Sequence, residues 1–192
     1  STSLASEVSI ASTSTPIQSL FFDGNLLIAV HSSGLYARIT VFNRTSGAQI
    51  STIQTYVSSM YGASHAPGAN RLYGRNQGIS PQDIVTASYT DAGVISNSTD
   101  SSYHGDYPNA AKTWIFPNEE RVLDSSGTVY TTPGLSYAGS LAGSLIDIAF
   151  HGDVPIVLRT NELVSFSSNL VQAGKLTVAA IAASKLHVTG ND

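Results

Sequence analysis

A repeat of about 45 residues is the feature that most constrains the fold of this chain. Asn25-Leu26-Leu27-Ile28 is echoed by Asn70-Arg71-Leu72-Tyr73, one such period later. Phe22-Asp23-Gly24-Asn25 returns as Phe150-His151-Gly152-Asp153, with a looser copy at Phe116-Pro117-Asn118-Glu119. Periods of this length are typical of architectures in which small sheets, unable to bury their own faces, stack on their neighbours. The repeat therefore predicts an array of similar units.

The first unit, residues 17–56, shows what each repeat contains. Four short apolar or alternating runs occupy residues 17–22, 26–31, 36–42 and 48–53. Asp23-Gly24-Asn25 and Thr45-Ser46-Gly47 separate two of these pairs, and glycine and asparagine favour tight hairpin turns because they tolerate positive φ. Four strands joined in this way form one antiparallel blade of a β-propeller.

The rest of the chain is divided by the same criteria. We predict an all-β fold, a β-propeller-type array of about four antiparallel blades that is either complete or part of a larger propeller. Residues 1–16 form a Ser/Thr-rich N-terminal segment, and residues 17–192 form the propeller-like domain, with further units near 70–97, 112–138 and 145–180. We expect residues 184–192 to supply one strand to an adjacent blade. Both ends read as mid-protein sequence, so an excised fragment is expected.

Composition narrows the functional class. Charged residues make up 11% of the chain, against about 25% in typical soluble domains. The polar surface is therefore expected to consist mainly of hydroxyl and amide groups. From this we predict a bacterial exported or cell-surface protein, with the periplasm as an alternative location. A net charge of -4 argues against nucleic-acid binding, and no apolar run approaches the roughly 18 residues needed for membrane insertion. Cysteine is absent, which excludes disulfides and thiolate chemistry.

The first unit also carries a family resemblance. Residues 26–30 and 39–47 resemble a blade of bacterial surface-layer and quinoprotein-like β-propellers, best over residues 17–56. In those blades an apolar second strand precedes a third strand that ends in a polar residue, two spacers and Thr-Gly; here Ser46 separates Thr45 from Gly47. The resemblance implies a propeller that binds or scaffolds. The tryptophan docking motif of quinone-binding repeats is absent, so no quinone is carried over and we predict no cofactor.

A second resemblance concerns the fourth unit. Asp147-Ile148-Ala149-Phe150 is similar to the Asp-Ala-Ala-Phe blade start of hemopexin-like four-bladed propellers. Those propellers are normally pinned by a disulfide, which this chain cannot form. A hemopexin-like four-bladed binding domain is therefore an alternative to the surface-propeller interpretation.

One loop concentrates the polar chemistry of the chain. We predict that residues 98–109 form a long loop that contacts a ligand. Its candidate ligand-binding residues are Asp100, Tyr103, His104, Asp106 and Tyr107. Carboxylates, an imidazole and phenols in one loop are suited to ligating a cation or to holding a sugar by hydrogen bonds and ring stacking. The alternative is an ordered inter-blade loop in which His104 and Asp106 satisfy backbone groups.

The candidate residues leave two functional classes open. A non-catalytic binding or scaffolding module would present its loops to a protein or carbohydrate ligand, and would self-associate if the propeller is incomplete. A propeller glycoside hydrolase using Asp100 or Asp106 would need two carboxylates about 5 to 9.5 Å apart across a cleft. Two residues on one short loop seldom meet that condition, so binding is favoured over catalysis.

Overall fold

The computed structural model describes residues 16–33, 36–56, 59–77, 80–96, 98–102, 105, 108–178 and 183–188. Within them, sixteen strands form four antiparallel sheets of four strands each, and each sheet follows chain order. The all-β, propeller-type array predicted from the repeat is confirmed.

The four sheets follow one another along the chain. Sheet 1 contains β1 (Ile17–Asp23), β2 (Leu26–Ser33), β3 (Tyr36–Asn43) and β4 (Gln49–Tyr56). Sheet 2 contains β5 (Tyr61–Ala66), β6 (Arg71–Arg75), β7 (Ile84–Ser88) and β8 (Thr99–Asp100). Sheet 3 contains β9 (Thr113–Ile115), β10 (Arg121–Asp124), β11 (Thr128–Thr131) and β12 (Tyr137–Ser140). Sheet 4 contains β13 (Asp147–His151), β14 (Val154–Arg159), β15 (Glu162–Phe166) and β16 (Gln172–Thr177).

The sequence echoes fall at equivalent places in the sheets. Asn25 and Asn70 each immediately precede the second strand of their sheet. Gly24 and Gly152 occupy the hairpins between first and second strands, with φ values of 53° and 56°. These left-handed conformations explain why the hairpins share a glycine.

Three hydrophobic clusters join successive sheets face to face. Between sheets 1 and 2 lie Ile28, Val30, Ile39, Val41, Leu72, Val85 and Ala87. Between sheets 2 and 3 lie Ala66, Tyr73, Ile84, Val122, Tyr130 and Leu135. Between sheets 3 and 4 lie Phe116, Leu123, Val129, Ile148, Val157, Val164 and Phe166. Each sheet thus buries the face that it could not bury alone.

The inner strands of the middle sheets are buried on both faces. Leu72 packs towards sheet 1, whereas its neighbour Tyr73 packs towards sheet 3. Val122 and Leu123 of β10 divide in the same way between sheets 2 and 4. Because both faces are covered, each of these strands has two adjacent apolar residues at its centre instead of an alternating pattern.

The array is open. Among the described residues, no hydrophobic cluster and no strand ladder joins sheet 4 back to sheet 1. A hemopexin-like four-bladed ring would require that junction, so the structure does not support this alternative. In the same part of the chain, no helix has the length and apolar character needed to cross a membrane.

Three details differ from the sequence interpretation. The second unit was predicted to begin near residue 70, but its sheet begins earlier, with β5. The sequence of β5 shows no apolar alternation, and the Ser64 hydroxyl forms a hydrogen bond with the Thr113 hydroxyl. Thr99–Asp100 is a short strand, so the predicted loop 98–109 begins only after it. Residues 183–188 form no strand, and residues 189–192, the rest of the segment expected to supply one, lie outside the described residues. Residues 1–15 lie outside the described residues.

Candidate functional site

The strands of the four sheets end at two opposite edges of the array, and the antiparallel topology decides which turns lie at each edge. The turns between second and third strands and the connections from one sheet to the next lie on one edge, here called the connection edge. The turns between first and second strands lie on the opposite edge, here called the turn edge. The predicted loop follows β8 and leads to β9, and residues 76–83 join β6 to β7. Both segments therefore lie on the connection edge.

Only one of the predicted ligand-binding residues is described. Asp100 lies in β8, pairs with Val85 of β7 and is exposed. Tyr103, His104, Asp106 and Tyr107 lie outside the described residues. Convergence of these side chains on a ligand therefore remains a prediction.

The described parts of the loop are anchored to the segment 76–83. The Gly105 N–H donates a hydrogen bond to Asp83 Oδ1 at 3.0 Å. Arg75 Nη2 donates to the carbonyl oxygens of Gln82, at 3.1 Å, and Pro108, at 3.2 Å. One guanidinium thus ties both segments together, which gives this part of the edge a defined shape.

Arg75 also links sheets 2 and 3 beneath that edge. Its Nη1 lies 3.1 Å from Asp124 Oδ2, and the two side chains are 1% and 0% exposed. Asp124 also accepts hydrogen bonds from the Tyr130 hydroxyl and the Ser126 N–H. Burial raises the pKa of the Asp124 carboxyl, and the Arg75 guanidinium opposes that shift. Asp124 thus caps its own turn and also holds a buried ion pair.

A depression of about 370 Å³ opens beside the anchored loop. It is lined by Gln77, Gln82, Asn109, Ala110, Ala111, Ser125, Ser144 and Leu145. Ser125 Oγ accepts the Ala111 N–H at 3.0 Å, which fixes one wall. None of the lining side chains is charged, so amides and hydroxyls supply its polar chemistry. Such a surface suits neutral ligands rich in hydrogen-bonding groups.

The sequence did not single out this depression. Its lining comes from segments that are far apart in the chain, and each contributes small or neutral residues without a motif. The only sequence signal was that one lining residue, Asn109, is the last residue of the predicted loop 98–109. Among the described residues, no group of three or more histidine, aspartate or glutamate side chains is arranged to hold a metal ion.

The turn edge carries a second polar cleft, between sheets 1 and 2. This cleft of about 410 Å³ is lined in part by Asp23, Asn70 and Asp91. The Tyr89 hydroxyl donates to Asp23 Oδ2 at 2.6 Å and lies 2.8 Å from His65 Nε2. The Tyr89 hydroxyl gives its only proton to Asp23, so His65 Nε2 donates to the Tyr89 oxygen, and burial lowers the pKa of His65. These contacts tie the two sheets together.

Acidic side chains join the later sheets at the same edge. Glu119 accepts the backbone N–H groups of Gly68 and Ala69, at 3.1 and 2.9 Å. Asp153 accepts the Asn118 N–H at 3.1 Å. In both cases a carboxylate in a first hairpin reaches back to the hairpin of the preceding sheet. These acidic residues therefore act between sheets.

Comparison with known proteins supports the fold. No family model matches the sequence, and no curated protein matches it. The structure is similar to a solved structure of the Dos1 propeller, with a TM-score of 0.61 and 11% sequence identity. The match covers 85% of this chain and 48% of that chain, so this chain spans about half the length of the matched propeller. At this identity the likeness shows the fold alone.

The sheets, their packing and this likeness define the class of protein: the chain is an open β-propeller-type array. The finer resemblance to bacterial surface-layer and quinoprotein-like propellers, which is best over residues 17–56, remains a prediction.

Proposed function

We propose that this chain is a non-catalytic binding or scaffolding module of a bacterial exported or cell-surface protein. The observation that carries the proposal is the neutral polar depression on the connection edge, held beside a loop that is anchored to a rigid array. Loops on rigid sheets are a common location for recognition sites. The low content of charged residues supports an extracellular, cell-surface or periplasmic location.

The depression and the loop 98–109 form the proposed binding site, and a neutral carbohydrate is the ligand that we favour. Gln77, Gln82 and Asn109 offer both donors and acceptors, which match the hydroxyl groups of a sugar. Their amides carry no net charge, so they attract no ion strongly. Tyr103 and Tyr107 would supply the stacking faces if the loop closes over the ligand.

Two substitutions at the depression test this proposal. We expect the chain to retain at least one member of a panel of neutral oligosaccharides without releasing reducing ends. Gln82→Ala and Asn109→Ala should each weaken binding about 2- to 10-fold, the effect of losing one or two hydrogen bonds. Val94→Ala is the matched control, because Val94 is exposed on the turn edge and should not affect affinity. Titration calorimetry measures each affinity.

Two results would contradict the proposal. Equal affinity in Gln82→Ala, Asn109→Ala and the control would place the ligand elsewhere, and failure to retain any oligosaccharide would remove the carbohydrate assignment. Released reducing ends, abolished by Asp106→Asn, would instead support the alternative glycoside hydrolase function.

A further inference from the structure

The outer face of sheet 4, which points away from sheet 3, is covered by a later segment of the same chain. Ile148, Val157 and Val164 pack against sheet 3, so their strand neighbours Leu158 and Leu163 point the other way. Residues 183–188 lie over those two leucines, and Ala183 and Leu186 line the space between. We call residues 183–188 the strap.

A carboxylate at the start of sheet 4 holds the strap. The Leu186 N–H donates to Asp147 Oδ2 at 2.9 Å. The other oxygen, Oδ1, accepts from Trp114 Nε1 at 3.1 Å and from Lys112 Nζ at 3.3 Å. Sheet 3 and the segment before it therefore orient the Asp147 carboxylate towards the strap.

The Asp147 carboxylate remains charged at neutral pH. Burial alone would raise the pKa of Asp147. The Leu186 N–H and the Lys112 ammonium, with a smaller contribution from Lys185, outweigh that effect, so the pKa is lowered. The bond to Leu186 is therefore charge-assisted, which makes it stronger than a neutral hydrogen bond.

The strap covers the face incompletely. A cavity of about 120 Å³, lined mainly by apolar side chains, remains between the strap and Leu158 and Leu163. The side chains on either side of this space make no contact with each other across it. Leu158 is 3% exposed, whereas Leu176 on the same face is 61% exposed. The faces between neighbouring sheets are packed more completely than this one.

We infer that the strap is a displaceable cover, which opens and closes over the outer face of sheet 4 while the four sheets stay folded. Among the described contacts, it is held by the Leu186 main-chain hydrogen bond, by the attraction between Lys185 and Asp147, and by a few apolar contacts around a cavity. Segments with few buried contacts open at a lower free energy than the whole molecule unfolds. The strap thus controls solvent access to an apolar face of the same kind as those that join the sheets.

Adjacent residues on β14 provide a matched pair of probes. Leu158 lies under the strap, whereas Val157 is fully buried against sheet 3. The chain has no cysteine, so Leu158→Cys and Val157→Cys each introduce a single thiol. In the full chain under native conditions, we expect a disulfide reagent to modify the thiol of Leu158→Cys at least 10-fold faster than that of Val157→Cys.

Asp147→Asn in the same two backgrounds tests the anchor. Removing the charge should increase the modification rate of the Leu158→Cys thiol about 10-fold. The modification rate of the Val157→Cys thiol should change only by the amount that the change in global stability explains, and urea unfolding measures that stability. Equal rates at the two positions would show that the face is exposed only by global unfolding and would overturn the inference. An unchanged rate at Leu158→Cys in the Asp147→Asn background would overturn it as well.

Discussion

Arg75→Met should lower the free energy of unfolding by about 3–5 kcal/mol, the usual cost of breaking a buried ion pair by removing one partner. Asp124 is fully buried, and the substitution leaves its carboxylate with hydroxyl and N–H donors but no positive charge. The same change removes the guanidinium that ties Gln82 and Pro108 together. Urea denaturation followed by circular dichroism measures the loss.

The double substitution Arg75→Met with Asp124→Leu is the control for this prediction. It removes both charges, so part of the lost stability should return. The hydrogen bonds that Asp124 accepts from Ser126 and Tyr130 are lost as well, so the double variant should remain less stable than the unsubstituted chain. A loss below about 1 kcal/mol for Arg75→Met alone would show that the pair is not buried as described.

Gly62→Ala should destabilise the chain by about 3 kcal/mol or more, through steric overlap together with backbone strain. Gly62 has φ 54°, and a Cβ there would lie 2.4 Å from the Ala111 carbonyl oxygen and 2.5 Å from Lys112 Cα. Both are backbone atoms, so relief requires the start of sheet 3 to move away from β5. Thermal and urea unfolding should both show the effect.

Gly134→Ala is the matched control, because no heavy atom lies within 4 Å of the Cβ that it would add and its φ is not left-handed. That substitution should change stability by less than about 1 kcal/mol. Equal effects at Gly62 and Gly134 would contradict the close approach of sheets 2 and 3.

Local features of the sequence predicted much of the fold. The hairpins at Gly24 and Gly152 depend on glycines that adopt positive φ, a local property that is visible in the sequence. β2 and β3 have apolar residues in strand-length runs, so the first unit was recognisable. β5 was missed because Ser64 and its neighbours make polar contacts with the next sheet instead of showing an apolar alternation.

The candidate site was harder to predict because its contacts are distant in sequence. Arg75 and Asp124 meet across two sheets, and the only local signal was a cation at the end of an apolar strand. The depression combines residues from four separate segments, none of which carries a motif. The strap has apolar residues like those of a strand, and its place against Asp147 depends on the tertiary fold.

The central claim is that successive sheets pack face to face, and a pair of engineered cysteines across the junction of sheets 2 and 3 tests it most directly. Ser64 Oγ of β5 lies 3.0 Å from Thr113 Oγ1 of β9, and both residues are buried. In the cysteine-free chain, Ser64→Cys combined with Thr113→Cys should form an intramolecular disulfide in a monomer, because the two hydroxyl oxygens that the sulfurs would replace lie 3.0 Å apart. Peptide mapping by mass spectrometry would identify that bond. Two free, reactive thiols in the folded chain, or a bond formed only between chains, would contradict the account.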